Sequence, residues 1–218
     1  MPQSARLDAR RTFGTLWVVR LLDRRRTRFP RPLRTALDWV VTIGIAVAFV
    51  LVFEAEVAKP YRIPTASMEN TLHCPRPGAG CQARFGDRVL VNRLAYRLGK
   101  PQRGQIVVLH PPAAAATHGC AGGTFVKRIV GLPGETVSVR KGFVFVDGQT
   151  LHESYVDPVD RDAQTAVWPA VPPGRYFVMG DNRKQSCDSR VWGPVPAGNL
   201  VGPVLAVYWP PNRIRLLP

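Results

Sequence analysis

One lysine of this sequence lies inside an apolar run, residues 125–130 (FVKRIV). The chain contains 5 Lys against 25 Arg, so an arginine is the common source of positive charge here. Arginine stays protonated in proteins, whereas a buried lysine can lose its proton near neutral pH. A strand places Phe125, Lys127 and Ile129 on one face, and such an apolar face lowers a lysine pKa. A neutral lysine amine is a general base, which predicts a nucleophile beside it.

Ser67, in segment 63–70 (IPTASMEN), is the best candidate for that nucleophile. A serine hydroxyl becomes nucleophilic only next to a base, and a Ser-Lys pair is a known variant of the catalytic triad. The pKa of Lys127 would have to fall from about 10.4 by roughly two units, which corresponds to about 3 kcal/mol. Taken alone, Ser67 is typical of a turn, and Lys127 of an edge strand whose amine reaches solvent. The prediction therefore depends on the two residues together.

The N-terminal part of the chain predicts a membrane anchor. Residues 1–35 contain ten Arg and two Asp, a net charge of +8, whereas the chain as a whole carries +15. Residues 36–53 form an apolar segment of 18 residues, near the lower end of the roughly 17–25 that span a bilayer. Trp39 suits a membrane interface. A cleaved secretory signal is the alternative, although no small-x-small site follows residue 53.

The positive-inside rule orients this segment. We therefore expect a cytoplasmic tail (1–35), a single transmembrane helix (36–53) and an extracytoplasmic domain (54–218) in the cell membrane. In that domain, short β-like runs and turns predict a mainly β fold: 88–91, 105–109, 125–130, 136–140, 143–146, 175–179 and 204–209. Asp147-Gly148 predicts a hairpin turn. Residues 110–123 and 157–174 are expected to be loops without regular structure.

Four cysteines on an oxidising face of the membrane indicate disulfides rather than a metal site. Cys74 and Cys81 bracket a Pro/Gly-rich loop and are the most favoured pair, although the sequence allows three connectivities. Cys120 and Cys187 are then left to pair with each other. No C-x-x-C occurs, and His110 and His118 have no complete ligand set near them, so we predict neither metal nor cofactor.

Four segments in this order resemble the type I signal peptidases, membrane-bound Ser-Lys proteases that remove signal peptides from exported proteins. The segments are 63–72 (IPTASMENTL), 86–93 (GDRVLVNR), 124–135 (TFVKRIVGLPGE) and 180–195 (GDNRKQSCDSRVWGPV). The resemblance spans roughly residues 36–210. It implies a β catalytic domain preceded by one transmembrane helix.

The resemblance also implies a role for each matching position. Ser67 corresponds to the nucleophile and Lys127 to the general base. Thr65 stands where the family often has a serine that contributes to the oxyanion hole. Ser186 corresponds to a serine that orients the lysine amine. A structural set of ion pairs corresponds to Arg128, Asp181, Asp188 and Arg190.

The sequence departs from the family pattern at three places. Thr65 replaces a serine but keeps a hydroxyl, and Asn70 replaces a common proline. Cys187 stands where a small residue is expected, so a disulfide there would make the lysine-orienting loop redox-sensitive. We also expect Ile63, Met68 and Trp192 to form an apolar surface that contacts lipid or substrate.

The resemblance implies an endopeptidase that cleaves preprotein signal peptides after small-x-small residues, with preproteins and membrane lipid as partners. One alternative is the same dyad acting on a narrow regulatory or pilin-type substrate, or on the chain itself. Another is a basic module that binds acidic lipid or nucleic acid through the arginine tail. Nucleic acid is disfavoured, because that tail faces the cytoplasmic leaflet and the folded part lies outside. The oligomeric state stays open.

Overall fold

A computed structural model of the chain describes residues 30–120 and 122–217. Two compact units separate after residue 51. Helix α1 (Arg31–Glu56) contains the residues of the predicted anchor, and its part Pro32–Phe53 is long and apolar enough to cross a membrane, with a mean hydropathy of 2.4. The helix begins five residues before the predicted start, with Pro32 in its first turn, where a missing N–H costs nothing. The predictions for residues 1–29 lie outside the described residues.

The second unit is built from short strands, and in its described residues there are twelve. In chain order they are β1 (Ala58–Arg62), β2 (Arg88–Asn92), β3 (Ile106–Leu109), β4 (Phe125–Gly131), β5 (Val137–Arg140), β6 (Phe143–Val146), β7 (Gln149–Thr150), β8 (Ala166–Val167), β9 (Arg175–Met179), β10 (Val195–Pro196), β11 (Leu200–Trp209) and β12 (Arg215–Leu216). The short helices are α2 (Ala95–Leu98), α3 (Ala113–Thr117) and α4 (Ser189–Trp192).

The strands form two antiparallel sheets. The larger has the order β1-β2-β11-β3-β4-β9-β10, with β12 beside β11, and the smaller has the order β7-β6-β5-β8. The predicted mainly β fold is therefore confirmed. Asp147 and Gly148 both have positive φ, 49° and 80°, and join β6 to β7 as the hairpin turn that the sequence predicts.

Strand β3 shows why the middle of the larger sheet is buried on both faces. Ile106 and Val108 belong to one apolar cluster, and Val107 and Leu109 to another, so alternate side chains enter opposite layers. A third cluster joins the two sheets and contains Phe177 of β9. Strand β4 pairs with β3 on one side and with β9 on the other, so the backbone that carries Lys127 is held at both edges.

Two segments predicted to be irregular contain regular structure. Residues 110–123 include α3, which begins after Pro112 in an extended conformation. The helix consists mainly of alanine, the best helix former, and Ala115 is buried in the core. Residues 157–174 include a 3₁₀ turn at Pro158–Asp160 and strand β8. In both cases, packing against the sheet orders a stretch whose composition alone indicates a loop.

Candidate active site

Ser67 lies in the middle of a 3₁₀ turn, Ala66–Met68, whose three residues are all buried. Thr65 precedes the turn in an extended conformation. The chain after the turn is fixed by the buried carboxylate of Glu69, which accepts hydrogen bonds from the backbone N–H groups of Cys74 and Gln82 and also contacts the ring of His73. The backbone that follows Ser67 is therefore held by hydrogen bonds to the Glu69 carboxylate.

Strand β4 brings Lys127 to this turn. Ser67 Oγ and Lys127 Nζ are 2.7 Å apart, within hydrogen-bonding distance, and the two residues are 7% and 3% exposed. The amine of Lys127 also lies 5.5 Å from the centroid of the Phe125 ring. The charged amine donates to the hydroxyl oxygen, whereas the neutral amine accepts the hydroxyl proton. The geometry therefore suits proton transfer from serine to lysine.

Burial lowers the pKa of Lys127 to about 8. The negative charges of Asp188 and Asp181 act in the opposite direction, and the positive charge of Arg190 adds a smaller lowering. Desolvation is the largest of these effects. A substantial fraction of the amine is consequently neutral slightly above neutral pH.

Arg128 and Asp181 form an ion pair directly behind Lys127. The guanidinium donates to both carboxylate oxygens, at 2.9 and 2.6 Å, and to the carbonyl of Gly104 at 2.7 Å. The hydroxyl of Thr71 donates to the same carboxylate at 2.6 Å. Asp181 thus connects β4, which carries Lys127, to the chain that follows the Ser67 turn.

Asp188 and Arg190 form a second pair. The buried carboxylate accepts two hydrogen bonds from the guanidinium, at 2.8 and 2.9 Å, and one from the N–H of Gly180 at 3.0 Å. Although burial opposes ionisation, Arg190 keeps the pKa of Asp188 below its ordinary value. The four charged residues for which the resemblance implies a structural role therefore form two ion pairs, Arg128–Asp181 and Arg190–Asp188.

Gly180 lies where Ser186 and the Ser67 turn meet. A Cβ added at Gly180 would stand 2.3 Å from Ser186 Oγ and 2.4 Å from the carbonyl oxygen of Ser67. That carbonyl also accepts a hydrogen bond from the N–H of Asn182. Ser186 Oγ is buried and helps to lower the pKa of the neighbouring Asp188 carboxyl, but no hydrogen bond of ordinary geometry joins it to Lys127. Its orienting role stays a prediction.

A cleft of about 250 Å³ opens beside Ser67 and Lys127. Its walls are largely apolar, and its lining residues are Ile63, Pro64, Thr65, Ser67, Met68, Cys120, Gly122, Thr124, Phe125, Val126, Lys127, Gln185 and Cys187. Ile63 and Met68 reach it as expected. The expectation for Trp192 is wrong, because its ring is buried against Phe125 at a centroid distance of 5.4 Å and lies outside the lining.

The cysteines form two disulfides, Cys74–Cys81 and Cys120–Cys187. The favoured Cys74–Cys81 pairing is confirmed. Within residues 30–120 and 122–217, no group of three or more His, Cys, Asp or Glu is placed to hold a metal ion.

Several residues that shape the site were missed by sequence reasoning. Gly180 gave no signal, because a close approach between segments distant in sequence is what requires it. Gln185 lines the cleft and also contacts Gly80, in the loop closed by the Cys74–Cys81 disulfide. The Thr71 hydroxyl donates a hydrogen bond to Asp181, which lies 110 residues later in the sequence. Only the tertiary structure joins these positions.

Known proteins resemble this chain over most of its length. Residues 36–209 match the family model described as signal peptidase, peptidase S26. The probable signal peptidase I-1 of Synechocystis sp. is 37% identical over 185 residues, which cover 84% of this chain and 88% of that protein. The signal peptidase I of Mycobacterium tuberculosis is 34% identical over 235 residues, with coverages of 86% and 78%.

Among solved structures, a signal peptidase I from Enterococcus faecalis V583 matches with 33% identity and a TM-score of 0.40, covering 48% of this chain and 97% of that one. The chain belongs to the signal peptidase family, peptidase S26. The predicted enzyme class, a signal peptidase that processes preproteins, is confirmed at the level of the family, which favours a peptidase over a basic binding module.

Replacing Gly180 by alanine tests the contact between the segments of the site. We expect Gly180→Ala to lower the free energy of unfolding by about 1–3 kcal/mol and to reduce peptidase activity strongly, because the added methyl displaces either the Ser67 backbone or Ser186. Thermal unfolding and peptide hydrolysis measure the two effects. Gly198→Ala is the matched control, since nothing lies within 4 Å of its added Cβ. Equal behaviour of the two variants would contradict the contact.

Proposed function

We propose that this chain is a membrane-anchored serine endopeptidase that removes signal peptides, with Ser67 as nucleophile and Lys127 as general base. The observation that carries the proposal is the 2.7 Å separation of Ser67 Oγ from Lys127 Nζ inside a buried, mainly apolar site. The hydroxyl gains a base at hydrogen-bonding distance, and burial keeps that base partly neutral.

The proposed reaction has two stages. Lys127 takes the proton of Ser67 while Oγ attacks the carbonyl carbon of the scissile peptide bond, and the resulting tetrahedral oxyanion collapses as Lys127 returns the proton to the leaving amine. The product is an acyl ester of Ser67 and a free mature protein. The neutral lysine then takes a proton from water while the water oxygen attacks the ester carbon. Collapse of the second tetrahedral intermediate breaks the bond to Oγ, and Lys127 returns the proton to Oγ, which regenerates the hydroxyl and the neutral amine. One base thus serves both stages.

Thr65 and the backbone N–H of Ser67 are the proposed donors to the oxyanion. Thr65 is exposed, lines the cleft and makes no capping hydrogen bond to the turn that follows it. Its hydroxyl is therefore not committed to the turn. Donors aimed at the developing negative charge usually contribute most to this kind of catalysis.

The cleft supports a preference for small side chains before the scissile bond. Its volume of about 250 Å³ is below the roughly 300–1,000 Å³ typical of ligand pockets. Ile63, Met68 and Phe125 are among the residues that give it an apolar lining. Small-x-small residues fit such a site, and a bulky residue would collide with its walls.

The topology belongs to the same proposal. Large apolar side chains of α1 are exposed, such as Val40 at 67% and Phe49 at 68%, and lipid would cover them. The ten arginines of residues 1–35 support a cytoplasmic tail, with residues 54–218 on the extracytoplasmic face of the cell membrane. Membrane lipid and translocated preproteins are then the partners.

Substitution of the two dyad residues tests the function directly. We expect Ser67→Ala and Lys127→Met to lose essentially all cleavage of a synthetic signal peptide with a small-x-small site, since each removes one half of the nucleophile-base pair. Mass spectrometry of the products locates the cut. Lys100→Met is the control, because Lys100 is exposed and should not affect activity. Retained cleavage by Lys127→Met would reject the dyad, and cleavage restricted to the chain itself would favour the self-processing alternative.

The pH dependence of kcat/KM tests the protonation state. Because the neutral amine is the active form, we expect kcat/KM to rise with pH and to reach half of its plateau at about pH 8, the pKa of Lys127. Below that midpoint, each pH unit should lower the rate about tenfold. A rate independent of pH between 6 and 9 would contradict a lysine base.

Two substitutions at Thr65 test the oxyanion role. We expect Thr65→Val, which keeps the shape and removes the hydroxyl, to lower kcat about 10²–10³-fold with a small change in KM. Thr65→Ser restores a hydroxyl and should retain most of the activity. Equal kcat values for the two variants, measured by peptide hydrolysis, would remove Thr65 from the mechanism.

A further inference from the structure

The Cys120–Cys187 disulfide lies at the active site. Both cysteines line the same cleft as Ser67 and Lys127. The bond joins residues 67 positions apart, linking the segment before β4 to the segment after β9. The bond thus links two walls of the cleft covalently, in addition to the apolar packing between them.

The disulfide also belongs to the apolar layer next to the Lys127 amine. Cys120 is 6% exposed and packs in a cluster with Ile129 and Trp192, against which Phe125 and Cys187 are also packed. The Lys127 amine lies 5.5 Å from the Phe125 ring of that layer. The Cys120–Cys187 bond is therefore part of both the cleft lining and the apolar cluster next to the amine.

Cys187 is connected to the dyad through its neighbours as well. Ser186 contacts Gly180, and the Asp188 carboxylate accepts the N–H of Gly180. Gly180 in turn contacts the carbonyl of Ser67. These contacts hold residues 186 and 188 in place, so movement of Cys187 away from Cys120 would open the apolar wall while the backbone that supports Ser67 stays fixed.

We propose that Cys120 and Cys187 are positioning residues of the dyad, whose disulfide closes the cleft wall that excludes water from the Lys127 amine. The inference rests on the proposed function of Ser67 and Lys127. Opening the bond separates the walls and hydrates the amine, so the amine stays protonated to higher pH and the peptidase weakens near neutrality. The disulfide thereby makes the activity depend on the redox state of the compartment.

The reductant is a dithiol. Its thiolate attacks one sulfur of the Cys120–Cys187 bond and releases the other as a thiolate, and its second thiol then resolves the mixed disulfide. Two electrons and two protons pass to the protein, giving two cysteine thiols and an oxidised dithiol. Because Cys187 is only partly buried and lines the open cleft, a small dithiol can reach the bond from the substrate side.

Other charges around Lys127 are unchanged by this step. Asp188 and Asp181 raise its pKa and Arg190 lowers it, and all three keep their ion-pair partners. The new thiols, unlike the disulfide, can ionise and would add negative charge at high pH. A variant without thiols separates loss of the wall from that added charge.

The test compares pH profiles of kcat/KM for the full chain in detergent micelles, with the synthetic signal peptide as substrate. For Cys120→Ala/Cys187→Ala we expect the midpoint to rise by about one pH unit from about 8, which lowers kcat/KM about tenfold at pH 7 and leaves the high-pH plateau largely intact. Cys74→Ala/Cys81→Ala is the matched control, since its disulfide does not line the cleft, and its midpoint should stay at about 8.

Reduction of the wild-type protein tests the same shift in the midpoint of the pH profile without any substitution. Dithiothreitol treatment should shift the midpoint upward, and re-oxidation should return it to about 8, while alkylation and mass spectrometry establish which cysteines were reduced. An unshifted midpoint in enzyme with Cys120 and Cys187 reduced would overturn the inference, as would a variant whose plateau falls with no shift. The proposed function itself would be wrong if the pH profile of the oxidised wild type showed no midpoint or if Ser67→Ala still cleaved the peptide. If the oxidised profile is as expected but reduction has no effect on it, only the role of the disulfide is wrong.

Discussion

Burial of one amine is the constraint on which the rest of this structure depends. Lys127 is 3% exposed, and desolvation lowers its pKa from 10.5 to about 8, a difference of about 3 kcal/mol. The two carboxylates that would stabilise its charge, Asp181 and Asp188, are each held by both oxygens against an arginine. Arg128 and Arg190 thus limit how strongly these carboxylates stabilise the protonated form of Lys127. The ion pairs therefore hold acidic groups near the site without restoring the pKa of Lys127 to its ordinary value.

This burial has a consequence for stability. The folded protein binds its lysine proton less tightly than the unfolded chain, so between pH 8 and 10.5 the unfolded state holds more protons. The free energy of unfolding contributed by Lys127 therefore rises with pH across that window. Below it, the folded state carries the full cost of the buried charge. The surrounding sheet, in which β4 is paired on both edges, supplies the stability that offsets it.

Much of the site could be predicted from residue types, because the chemistry is local to two short segments. A lysine among apolar residues and a serine in the segment IPTASMEN indicate a base and a nucleophile, and the structure brings them to 2.7 Å. The strand pattern and the Asp147-Gly148 turn gave the mainly β fold for the same reason. Strand periodicity and turn type depend on residues that are adjacent in the sequence, so both can be predicted from it.

The remaining features depend on contacts between distant segments. Three features follow from contacts between segments that are distant in the sequence: the requirement for glycine at position 180, the hydrogen bond from Thr71 to Asp181 and the burial of Trp192. No local sequence pattern encodes them. The α3 helix was missed because its alanines have neither polar caps nor an amphipathic period, and packing of Ala115 decides its position. The Cys120–Cys187 pairing likewise needed the fold to choose among connectivities.

The most direct measurement of the central claim is an NMR titration of the lysine side chains, with isotope-labelled lysine in the full chain. Only five lysines are present, and Lys127→Arg identifies the signal of Lys127 by its disappearance. The account predicts that this one amine titrates at about 8, well below the ordinary lysine pKa of about 10.4. A Lys127 signal that titrates at that ordinary value would contradict it.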